Sequence, residues 1–144
     1  MGSGYGTYWA DVMTWDSIKT IVPDEAAALE QELEAAGVSL DDFCASMLFL
    51  DLKKILAVAD EDAANRAISQ IEAAWQRLAD SFKRATAVDG SGLELHTQYQ
   101  DPDNTDFCNE VDGGFFHVEG AYQLSPAGTR YIDRIQRVCF VARE

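Results

Sequence analysis

The sequence predicts a single α+β domain over residues 1–144: an N-terminal helical part of about four helices, then a small antiparallel β-sheet and a C-terminal helix. Three observations predict it. Apolar residues recur at helical spacing as far as residue 86, most cleanly at Ala64, Ile68, Ile71, Trp75, Leu78 and Phe82. Past the turn cluster Asp89-Gly90-Ser91-Gly92 the apolar period drops from helical to two. The chain has 144 residues, 47% of them hydrophobic, and a domain of that size buries roughly two-thirds of its unfolded surface in one core.

The elements follow in order. Residues 1–7 are Gly/Ser-rich and read as disordered or as an appended tag. Residues 5–13 (YGTYWADVM) fit a short strand or an irregular arm equally well. Thr14 or Asp16 caps a short helix that must stop before Pro23, because the residue preceding proline avoids helical dihedrals. Pro23 or Asp24 opens a second helix, with Asp24 and Glu25 where the helix dipole favours anions. Its apolar face is Ala26, Leu29, Leu33 and Ala36, and Gly37 is the stop. Ser39 with Asp42 resembles a capping box for a third helix, whose apolar residues are Phe43, Met47, Leu48, Leu52, Ile55 and Leu56. Asp60-Glu61-Asp62 begins the helix that carries the clean 64–82 stripe, a core-facing pattern rather than a coiled coil.

In the second part, Leu93, Leu95, Thr97 and Tyr99 alternate with polar residues, as in a half-buried strand. Residues 101–114 read as a loop. Phe115–Val118 and Ala121–Leu124 read as a hairpin turning at Glu119-Gly120. Ser125-Pro126 then caps a last helix running to Gln136, with Tyr131, Ile132, Ile135, Val138 and Cys139 on one face and 138–142 as an alternative strand.

Charge narrows the function. The chain has 25 acidic and 11 basic residues, a net charge of −14. By segment the net is −10 over residues 1–62, +2 over 63–86, −8 over 87–119 and +2 over 120–144. Such an excess repels a phosphate backbone, so direct nucleic-acid binding is disfavoured. No run approaches the roughly 20 apolar residues that cross a bilayer, and no secretory signal is visible. Three cysteines, Cys44, Cys108 and Cys139, are odd in number and without framework spacing, which suits a cytoplasmic setting.

Two acidic blocks on one small domain serve solubility, or they dock on a basic surface that otherwise holds nucleic acid. Acidic decoys of this kind occur among small inhibitors from phages and mobile elements, including some anti-CRISPR proteins, which this chain is similar to in charge and size alone. The expected partner is therefore a basic protein or nucleoprotein complex, and binding rather than catalysis is the expected mode of action. Carboxylates at Glu30, Glu34, Asp41, Asp42, Asp101, Asp103 and Asp106 are the candidate contact residues. Trp9 and Trp15, in an aromatic group with Tyr5 and Tyr8, would add an exposed apolar patch if they do not fold onto the core. Arg130, Arg134 and Arg137 would share one face of the last helix and pair within the fold.

No cofactor is expected beyond a divalent cation. In residues 101–112 (DPDNTDFCNEVD) the oxygen-bearing Asp101, Asp103, Thr105, Asn109 and Asp112 occupy positions 1, 3, 5, 9 and 12 of a partial calcium-loop pattern. Asp106 stands where that pattern needs glycine, and Asp112 replaces its bidentate glutamate. His96 and His117, with Cys108, would give an incomplete zinc set or a thiol–imidazole pair if their strands are adjacent. No CxxC, HxH, HExxH, GxGxxG or P-loop pattern occurs, and 25 scattered carboxylates single out no glycosidase pair.

The segment GGFFHVEGAYQLSPAGTRYIDRI, residues 113–135, resembles the wing and following helix of winged-helix regulators. The resemblance implies a DNA-binding regulator as a further alternative. The segment just before it, Asp103 to Asp112, is acidic where the recognition helix of that family is basic.

Overall fold

A computed structural model describes residues 7–45, 60–87, 92–96, 105–107, 115–120 and 134–142. The chain begins in a strand, β1 (Thr7–Thr14), followed by helices α1 (Trp15–Ile21), α2 (Pro23–Ala36), α3 (Leu40–Ala45) and α4 (Glu61–Thr86). Strands β2 (Glu94–His96), β3 (Thr105–Phe107), β4 (Phe115–Glu119) and β5 (Gln136–Ala142) complete the described elements. The fold is α+β. The five strands form one antiparallel sheet in the order β2-β4-β1-β5-β3.

The helix ends are set by the residues that sequence rules nominate. Thr14 Oγ1 accepts from the Ser17 amide at 3.3 Å, and the Val22 amide closes α1 on the Ile18 carbonyl at 3.0 Å. Pro23 then stands in the first turn of α2, where its missing N–H costs nothing. Gly37 ends α2 with φ +71, a left-handed conformation that glycine adopts without penalty. Ser39 Oγ accepts from the Asp42 amide, and Asp60 Oδ1 from the Asp62 amide.

α4 presents Ala64, Ile68, Ile71, Ala74, Trp75, Leu78, Phe82 and Thr86 to the interior. Each large apolar side chain among them contributes about 1.5–3 kcal/mol by leaving water. Ala26, Leu29 and Leu33 of α2, Trp15 and Ile18 of α1, and Met13, Leu95, Phe116 and Val118 of the sheet join them in one core. Aromatic rings form its centre. Trp75 stacks on Phe116 at 5.3 Å between centroids, while Phe43 and Trp15 approach Trp75 and Phe116 respectively at 5.5 Å.

Several expectations are corrected. The sheet does not simply follow the helices: β1, the first element, lies inside it, between β4 and β5. Thr7, assigned to a disordered opening, starts that strand. Residues 105–107, expected in a loop, form β3 and pair with β5. The C-terminal helix is not found where it can be checked: residues 126–133 lie outside the described residues, and Gln136–Ala142 is a strand paired on both sides. Residues 46–59, 97–100 and 121–133, including the second arm of the expected hairpin, lie outside the described residues.

Candidate functional site

Two features of the described surface carry groups with chemistry to offer. The first is the carboxylate surface of α2. This helix has Asp24, Glu25, Glu30, Glu32 and Glu34 and no basic residue. Its buried stripe leaves Asp24 and Glu34 exposed and the other three half-buried. Glu30 has structural work: its Oε2 accepts from the Trp15 indole at 3.0 Å and lies 3.3 Å from Lys19 Nζ. Asp42 is exposed in the first turn of α3, and Asp41 lies beside it in the same helix.

Three basic groups of the described residues make contacts inside the fold. Lys19 is on Glu30, Arg137 Nε donates to Asp11 Oδ1 at 3.1 Å, and Arg134 Nη1 donates to Thr20 Oγ1 at 2.8 Å. The expected helical row of Arg130, Arg134 and Arg137 is therefore not formed through Arg137, which sits in β5, and Arg130 lies outside the described residues.

The second feature is the edge of the sheet. β2 is the outermost strand on its side and pairs with β4 so that Glu94 faces Glu119, Leu95 faces Val118 and His96 faces His117. Alternation along a strand sends Leu95 and Val118 to the helices and the four ionisable residues to the opposite face. Like charges directly across a ladder are unfavourable, and the Lys83 ammonium offsets the acidic pair here. Lys83 Nζ of α4 is 3.2 Å from Glu94 Oε1, and His96 Nε2 is 3.7 Å from Glu119 Oε1. Burial holds the His117 imidazole below its ordinary pKa, helped by neighbouring His96 and opposed by Glu119. Beside this edge, Glu72, Trp75, Gln76, Asp80 and Lys83 of α4 and Glu94 and His96 of β2 line a cleft of about 350 Å³.

The predicted site residues divide as follows. Trp15 is buried against Phe116, so no exposed aromatic patch exists at that position. Trp9 belongs to β1 opposite Cys139 of β5. Asp101, Asp103, Asn109 and Asp112 lie outside the described residues. Thr105 and Asp106 are in β3, with Asp106 opposite Val141. Asp106 has extended backbone at the position where a wrapped calcium loop makes its sharp turn, and the other proposed ligands but Thr105 lie outside the described residues. His96 and His117 are on adjacent strands as the zinc alternative required, while Cys108 is outside the described residues.

Sequence reasoning missed the roles of Glu94 and Glu119. Their signal is the pair of short patterns Glu94-Leu95-His96 and His117-Val118-Glu119, which an antiparallel register sets face to face. The winged-helix resemblance covers residues 113–135, of which 121–133, with the expected second arm of the wing and most of the following helix, lie outside the described residues. No helix among the described residues is long and apolar enough to cross a membrane. No family model, characterised protein or solved structure matches this chain.

Proposed function

We propose that the protein acts by binding a basic macromolecular surface, as an acidic inhibitor or decoy that occupies a face otherwise used for nucleic acid. The observation that carries this reading is the allocation of charge by element. α2 has five carboxylates and no base, and Lys19 of α1 is engaged on the one of them, Glu30, that also holds Trp15. A negative potential at α2 and at the start of α3 would steer association and select basic surfaces. Asp24, Glu32, Glu34 and Asp42 are the contact residues we assign, and Glu30 is removed from that set because it positions Trp15. The odd, unframed cysteines support a cytoplasmic setting for this binding.

Capture of partners from a lysate of the source cells, at low and at high salt, tests the reading. The expected partners are basic or nucleic-acid-handling proteins, lost at high salt and lost in the variant Asp24→Asn/Glu32→Gln/Glu34→Gln. A partner set without such proteins, or one unaffected by the triple substitution, contradicts it.

A further inference from the structure

We propose that Glu94, His96 and Glu119 form a binding site for one divalent first-row transition-metal ion, of the Zn²⁺ or Mn²⁺ type, on the outer edge of the sheet. The proposal is independent of the acidic-surface reading, since it uses none of the α2 residues. Glu94 and His96 are two apart on β2 and so share a face, and Glu119 is directly across the ladder from Glu94. One ligand atom from each of the three lies within 4.8 Å of the other two. Metal–nitrogen and metal–oxygen bonds of about 2.0–2.2 Å at a tetrahedral ion place ligand atoms roughly 3.4 Å apart. The set must therefore contract by about 1.4 Å at its widest. Rotation of exposed glutamate side chains supplies that movement without moving the strands. Glu94, His96 and Glu119 are 51%, 50% and 66% exposed, so rotation meets little packing.

Two features favour a metal over chance. The register pairs like with like, carboxylate with carboxylate and imidazole with imidazole, an arrangement that costs stability unless a cation sits between the acids. A cation is already drawn there, for Lys83 Nζ rests on Glu94 at 3.2 Å, reaching from α4 across the cleft. An imidazole with two carboxylates is a donor set for borderline ions, whereas Ca²⁺ and Mg²⁺ prefer oxygen alone. Three protein ligands leave further coordination positions for water.

The test is titration of the full chain with Zn²⁺ and with Mn²⁺ in competition with a chromophoric chelator, followed in parallel by the His96 ring resonances. One ion per chain is expected, with shifts at His96. Glu119→Gln and His96→Gln should each weaken binding about tenfold or more, since even outer-shell losses reach that size. Lys83→Met should tighten it, because the competing ammonium is gone. Asp101→Asn/Asp103→Asn should leave it unchanged. Lys83, His96 and Glu119 are exposed, and unchanged metal-free melting of each variant confirms that the fold is kept. Absence of binding, binding indifferent to Glu119→Gln and His96→Gln, or binding abolished by the loop double substitution would overturn the proposal.

Discussion

Single atoms join the helical layer to the sheet. Thr86, the last residue of α4, is fully buried; its hydroxyl donates to the Phe82 carbonyl at 2.9 Å and accepts from the Leu93 amide at 2.8 Å. The amide just before β2 is thus satisfied by a side chain at the end of a helix. Thr86→Val keeps the shape but orphans that amide, and should cost about 1–3 kcal/mol in denaturant unfolding. Gly92 is fixed by space alone, since a Cβ there would overlap the Lys83 carbonyl and lie 2.7 Å from Ala87 Cβ. His117 supplies a pH dependence. Its folded pKa lies below the ordinary 6.5, so the unfolded chain takes up a proton first as pH falls. Stability should be level above about pH 6.5 and decline below it toward the folded value. Metal-free protein held in chelator should melt lower at acid pH than at neutral pH, and His117→Gln should shrink that difference; an unchanged difference contradicts the assignment.

Among the elements, α4 and β1 matter most, and they differ in how plainly their sequences speak. The stripe from Ala64 to Phe82 is apolar at helical spacing, and every one of its six predicted residues is buried. Leu78→Ala should cost about 2–5 kcal/mol, read from the shift of the unfolding midpoint. β1 gives no such pattern. It is an inner strand with Val12 and Met13 both fully buried, so hydrophobicity does not alternate along it and strand and arm look alike. Removing residues 1–14 should abolish cooperative melting, because β4 and β5 both pair with β1. A truncated chain that still melts cooperatively would refute its central place. β3 was unreadable for another reason: three residues carry no period, and its partner β5 is distant in sequence. The end of the chain misled because Ile135, Val138 and Cys139 also suit a helical face, whereas pairing to β1 and β3 makes 136–142 a strand.

At the scale of the whole molecule, the segment charges legible in the sequence become charges on elements. The first acidic block resolves into α2 and the start of α3, from which Glu30 is withdrawn to hold Trp15. The second block contributes Glu94 and Glu119, which only the register brings together; neither strand alone announces them. Aromatic residues near the N-terminus suited either a surface patch or the core, and Trp15 is core, because its indole finds both Phe116 and a carboxylate acceptor there. The central claim is that acids of α2 and α3 bind a basic surface. Its most direct test is the affinity for the captured partner, measured by calorimetry across a salt series for the parent chain and for Asp24→Asn/Glu32→Gln/Glu34→Gln. Raising salt from about 0.05 to about 0.5 M shortens the screening length severalfold. The parent should weaken by about tenfold or more over that range, and the variant should be weaker at low salt with a shallower dependence. Equal affinities and parallel salt curves for the two chains would contradict it.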